Sequence, residues 1–172
     1  VAAEKGAARV ISIVGQAPRL TLAKNCGATD VIDMNAYPTP DKRIARVKEL
    51  TDGRGADIVV EVVGIAAATV EGLNMVRLNG KYVDIGNISP QTVTLPATLV
   101  ITNQIKWLGT THYDPWIFPA ALEFLVRTKA KYPLSSLVSH SFPLKDINKA
   151  FEAAEWQGKN AGTAATRVIL KP

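Results

Sequence analysis

The chain has 172 residues, 47% of them hydrophobic and 20% charged, with 20 Lys and Arg against 15 Asp and Glu for a formal charge of +5. A chain of this size can bury a core, and its mixture excludes disorder, collagen-like repeats and coiled coil. Apolar runs such as Ile65–Ala68 fall far short of the roughly 20 residues that span a bilayer, and the basic residues are scattered without an aromatic platform, so neither membrane nor nucleic acid is an expected partner.

Arg9–Val14 is a β-branched apolar run that meets Gly15 and Pro18, which reads as a buried strand and a turn. Pro18 opens a helix with Leu20, Ala23 and Cys26 on its apolar face and Gly27 as its left-handed stop. Asp30–Asp33 predicts a second strand, and Thr39-Pro40 opens a helix with Ile44, Val47 and Leu50 inward, closed by Gly53 and Gly55. Ala56–Val63 reads as a third buried strand, Ala66–Val76 as a helix ending near Asn79-Gly80, and Lys81–Gly86 as a fourth strand. After a proline-punctuated irregular stretch, Ile105–Gly109 is the fifth strand, and Asp114-Pro115 starts a helix carrying Phe118, Leu122, Leu125 and Val126. From about Ser136 the rhythm changes: a strand at Ser139–Phe142, a helix from Lys145 to Trp156 with Ile147, Ala150, Phe151 and Ala154 inward, a mobile loop at Gly158–Ala165, and a last strand at Arg167–Leu170. Strand–helix alternation with continuous apolar strands argues for an α/β fold, a doubly wound parallel sheet covered on both faces. The lone Cys26 forbids an internal disulfide and packs as a small core residue, and Cys26, His112 and His140 lack metal-site spacing. Core packing is the expectation for most of Trp107, Trp116, Trp156 and Tyr113.

Five collinear segments go beyond patterning: Arg19-Leu20 with Ala23-Lys24 and Gly27-Ala28; Thr51–Val59; Glu61-Val62-Val63-Gly64; Asn79–Val83 with Ile85-Gly86; and Phe142-Pro143-Leu144. With these the chain resembles the carboxy-terminal part of the medium-chain dehydrogenase/reductase family, the zinc-containing alcohol dehydrogenases. The resemblance implies a Rossmann-type domain over residues 1–135 and a return to a catalytic domain over 136–172. It also implies a strand and a G-x-G-x-x-G turn ahead of Val1, the main pyrophosphate cradle. Without that strand the sheet is expected to part, leaving free edges on Arg9–Val14 and Ala56–Val63, in a chain that is aggregation-prone alone.

The resemblance further implies a nicotinamide cofactor. The acidic residue that bonds the adenosine ribose falls at Val14, so a barrier to NADP is gone while Gly15-Gln16 can still bond an unphosphorylated ribose; NAD and NADP both stay open. Arg19 stands where the family carries a basic residue toward the ribose or its phosphate. Val62, Val63 and Gly64 are expected on the adenine side of the cleft, and Ile85, Gly86, Asn87, Thr110, Thr111 and His112 at the nicotinamide. Arg167 coincides with a pyrophosphate-binding arginine of some members, and His140 is expected to be structural. No catalytic or metal-binding residue is assigned, because zinc and its ligands would belong to the domain ahead of Val1. The implied function is hydride transfer between a small alcohol or carbonyl compound and the cofactor, in a cytoplasmic homo-oligomer, dimer or tetramer, joined along the Ile105–Gly109 edge. A zinc-free quinone or enoyl reductase of the same superfamily and a non-catalytic nucleotide-binding module are the alternatives.

Overall fold

The structure, a computed structural model, describes residues 1–87, 90–154 and 165–172. The expected helix end at Trp156 and all of the expected loop except Ala165 lie outside the described residues. The elements are β1 Ile11–Val14, α1 Ala17–Asn25, β2 Asp30–Asp33, α2 Pro40–Leu50, β3 Ala56–Glu61, α3 Ala66–Met75, β4 Val76–Asp84, α4 Ala97–Thr102, β5 Lys106–Gly109, α5 Ile117–Thr128, β6 His140–Pro143, α6 Ile147–Ala154 and β7 Val168–Lys171. Every strand pair is parallel, in the orders β1-β2, β3-β4-β5 and β6-β7. Among the described residues β1 pairs only with β2 and β3 only with β4, so each keeps the free edge expected of a parted sheet.

The chain forms two compact units, Tyr37–Ile117 and the combination of Val1–Ala36 with Phe118–Pro172. Tyr37–Ile117 closes on Leu73, Val76, Tyr82 and Ile105, with Val59, Leu95, Leu99 and Val100 packed against them. Tyr82 is wholly buried and meets Trp107 edge-on, ring centroids 5.7 Å apart. That packing requires Gly72 on α3, because a Cβ there would stand 2.7 Å from the Tyr82 ring. Thr39 caps α2 through its side chain, and Pro40 supplies a preset first turn. Arg43, buried on α2, grips α3 bidentately: Nε and Nη2 donate to Glu71 Oε1 and Oε2 at 2.6 and 2.7 Å, and Nη1 donates to the Tyr37 carbonyl at 2.9 Å.

In the other unit β1 and β2 run in register from Ile11–Asp30 to Val14–Asp33. Thr29 both accepts from the Val10 amide and donates to its carbonyl, extending that pairing backward. Ile32 is buried, and Glu4 accepts from Lys131 Nζ and, at 2.8 Å, from the Tyr132 hydroxyl. α6 packs on the β6–β7 ribbon through the buried Ala150.

Several expectations are corrected. α3 stops at Met75 and β4 begins at once, so Asn79-Gly80 is not the end of a helix but a bulge inside β4, where Asn79 adopts φ 57 and the ladder jumps from Ala56–Val76 to Ile58–Lys81. The irregular stretch contains α4. Ala17, ahead of Pro18, starts α1, and Cys26 is its half-buried C-cap rather than a core residue on its apolar face. α5 starts at Ile117, later than Asp114-Pro115, and Leu122, Leu125 and Val126 on it are exposed, as are Trp116, Tyr113, Trp107 and Phe151. Ala154 is exposed as well.

Candidate functional site

Parallel strands deliver their carboxyl ends to one rim, where ligands of open α/β sheets bind. At the rim of β4 and β5 a cleft of about 390 Å³ is lined by Asp84, Ile85, Asn87, Gly109, Thr110 and Thr111. The ladder feeds these residues directly, since the Thr110 amide donates to the Asp84 carbonyl at 2.9 Å. Asp84 fixes the walls: Oδ1 accepts from Asn87 Nδ2 at 3.0 Å and Oδ2 from Trp107 Nε1 at 3.3 Å. Asn87 Nδ2 also donates to Thr69 Oγ1 at 2.5 Å, on the buried face of α3. Beneath, burial pushes the Tyr82 phenol far above its ordinary pKa, and its hydroxyl has no hydrogen bond of normal geometry; the neighbouring Thr69 hydroxyl offsets only part of that shift. That phenol is therefore neutral, and the cleft itself is lined by Asp84, Asn87, Thr110 and Thr111 among its polar residues.

The structure thus brings together four of the expected nicotinamide-side residues, Ile85, Asn87, Thr110 and Thr111, with Gly86 in the same turn. His112 is exposed and does not line the cleft. Val62, Val63 and Gly64 follow β3; both valines are exposed, and Gly64 at φ 77 approaches Gly86 so closely that a Cβ on it would stand 2.5 Å from the Gly86 carbonyl oxygen. Asp84 and Gly109 were not among the expected site residues. A carboxylate ending an apolar strand, and the strand's terminal glycine, are the signals that could have marked them.

In the other unit Gly15 and Gln16 follow β1, and Gln16 is the N-cap of α1. Gly15 is exposed, its carbonyl accepting from Asn35 Nδ2 at 3.2 Å. The side-chain oxygen of Gln16 is buried without a hydrogen-bond partner, an acceptor that suits a hydroxyl donor. Arg19 Nη2 donates to the Ala165 carbonyl at 3.0 Å, which ties α1 to the start of the last segment. Arg167 is exposed beside β7, its carbonyl accepting from the Ser139 and His140 amides. His140 lies on β6, Nδ1 2.9 Å from Ser139 Oγ and its ring stacked on Phe142.

One feature fits a dinucleotide: the orphan side-chain acceptor of Gln16 at the end of β1. For zinc the donor set does not fit, because no three His, Cys, Asp or Glu gather among the described residues.

Residues 1–127 match the family of zinc-binding dehydrogenases. The chain is 35% identical over 155 residues to 5-exo-hydroxycamphor dehydrogenase of Pseudomonas putida, covering 88% of this chain and 42% of that protein. It is 29% identical over 169 residues to erythritol/L-threitol dehydrogenase of Mycolicibacterium smegmatis, covering 98% and 43%. An alcohol dehydrogenase structure from Thermotoga maritima superimposes with a TM-score of 0.86 at 30% identity, over 99% of this chain and 45% of that one. The chain spans less than half the length of these relatives. With parallel strands, a cleft at their carboxyl rim and this match over most of its length, the chain belongs to the zinc-binding dehydrogenase family.

Proposed function

We propose that this chain supplies the cofactor-binding part of an oxidoreductase that moves hydride between an alcohol carbon and C4 of a nicotinamide, with NAD or NADP as cofactor. The observation that carries the reading is the β4–β5 rim cleft, where Ile85, Asn87, Thr110 and Thr111 meet in a dehydrogenase-family chain. In this reading Ile85–Asn87 and Thr110–His112 receive the nicotinamide, largely through backbone groups, and Val62–Gly64 border the adenine. Gly15 and Gln16 hold the adenosine ribose, the unpartnered Gln16 oxygen accepting a ribose hydroxyl. Arg19 serves the adenosine ribose or its phosphate, and Arg167 the pyrophosphate.

The reading divides the chain into a cofactor domain over 1–135 and a portion of a catalytic domain over 136–172. The separate β6–β7 ribbon with its own helix supports that division. Zinc is held by residues other than those described. The substrate is a small alcohol or carbonyl compound. Copies associate as a dimer or tetramer along the exposed β5 edge, and the enzyme works in the cytoplasm.

The test uses protein made from the whole coding sequence. Zinc content and formation of reduced nicotinamide from alcohols, with each cofactor, are measured together. Zinc with hydride transfer is the expected result. Hydride transfer to quinones or enoyl substrates without zinc would move the chain to the zinc-free branch, and tight cofactor binding without any hydride transfer would make it a nucleotide-binding module. The 172-residue chain alone is inactive and self-associates through its free β1 and β3 edges in this account, and a cooperatively melting monomer in light scattering would refute that.

A further inference from the structure

Two charged side chains are buried among the described residues, and they are treated differently. Arg43 has its counter-charge in Glu71, whereas the Glu61 carboxylate, 4% exposed at the end of β3, has no cation on it. A buried carboxylate is tolerated only where hydrogen bonds replace its water. Glu61 receives three, all from backbone: Oε1 accepts from the Val63 and Gly64 amides at 2.6 and 2.8 Å, and Oε2 from the Gly86 amide at 3.1 Å. Its main-chain carbonyl accepts from Ile85 and again from Gly86, at 3.0 and 3.1 Å.

The first two side-chain bonds hold the turn after β3, and the third reaches the turn after β4, 25 residues away in sequence. The two turns touch backbone to backbone. A Cβ on Gly86 would stand 2.5 Å from the Gly64 nitrogen and 2.6 Å from Glu61 Oε2. Gly86 is flanked by Ile85 and Asn87, both in the wall of the cleft. From this geometry we infer that Glu61 is a positioning residue: its carboxylate clips the β3 and β4 turns together and thereby sets the wall of the cofactor cleft.

The inference rests on the proposed cofactor site, and its test separates the two. In protein made from the whole coding sequence, Glu61→Gln keeps the shape but leaves one acceptor oxygen and places an amide donor against backbone donors. Glu61→Asp keeps the charge and falls one methylene short. Both variants are expected to raise the Kd for NADH about tenfold or more, as loss of buried hydrogen bonds implies. Both are also expected to speed amide exchange at Val63, Gly64 and Gly86, with far-UV circular dichroism retained. Folded variants with Kd within twofold of the unaltered protein would overturn the clip. Weakening by Glu61→Gln alone, with Glu61→Asp normal and exchange unchanged, would also overturn it, since charge rather than position would then be the cause. Should neither variant fold, the unaltered protein decides: NADH must slow exchange at Gly64 and Gly86 together, and a change at one without the other contradicts the clip. An unaltered protein that binds no nicotinamide cofactor defeats the functional reading, while slow exchange at the three amides still reports whether the clip exists.

Discussion

Tyr37–Ile117 and the unit made of Val1–Ala36 with Phe118–Pro172 hold themselves together by different means. The first closes on Leu73, Val76, Tyr82 and Ile105 and adds a buried ion pair between α2 and α3. The second buries few large side chains, Ile32 and Tyr132 among them, and relies on exposed polar ties such as Lys131–Glu4. Apolar burial contributes far more than surface ion pairs, so the region that carries the cleft is the one that stays folded longest. A site needing a rigid rim is built on the better-packed part of the chain.

The largest effect expected is from Leu73→Ala, which empties a fully buried position in that core and costs about 3–5 kcal/mol. Denaturant unfolding read by Trp107 fluorescence would check it, and a loss under 1 kcal/mol would erase the contrast. Glu71→Gln leaves the buried Arg43 charge without its counter-charge, at a cost of about 3 kcal/mol. The same unfolding curves would report it. Gly72→Ala drives a methyl into the Tyr82 ring and is expected to cost about 1–3 kcal/mol, with a shift in the Trp107 environment that packs on that ring.

The smallest effect is electrostatic. Hydrogen bonds from Lys131 and then Tyr132 hold the Glu4 carboxyl below its ordinary value. A group whose pKa is depressed on folding contributes its stabilisation at pH above the ordinary carboxylate range and loses it as pH falls through the depressed value. Acid should therefore loosen the Val1–Ala36 and Phe118–Pro172 unit, and Glu4→Gln should flatten that dependence. Arg77 depresses Asp57 in the same direction within Tyr37–Ile117, but there a packed core remains when the pair is lost. Amide exchange against pH, read separately in the two units, checks this; equal loosening of both would contradict the contrast.

Strands were legible because β-branched runs between glycines need no tertiary knowledge, whereas four residues of the cleft were named through the family resemblance, which expects ligand contacts after those strand ends. α4 was not, since Ala97–Thr102 is short and carries Thr98, Val100, Ile101 and Thr102, poor helix formers, and is held through Leu99 and Val100 packed on the core. The bulge at Asn79 depends on β3 register, which no local pattern encodes. Glu61 stood in a recognised segment without a role, because its task appears only when Gly86 is brought to it from a turn distant in sequence. The exposed flank of α5 was missed for a different reason: periodicity predicts which face is apolar, not whether the described chain covers it.

The most direct test of the account is amide hydrogen exchange of protein made from the whole coding sequence, with and without NADH. Slowed exchange at 84–87 and 109–112 on binding is the predicted result. Saturating NADH with no change in either segment would contradict the assignment of the β4–β5 rim as the cofactor cleft.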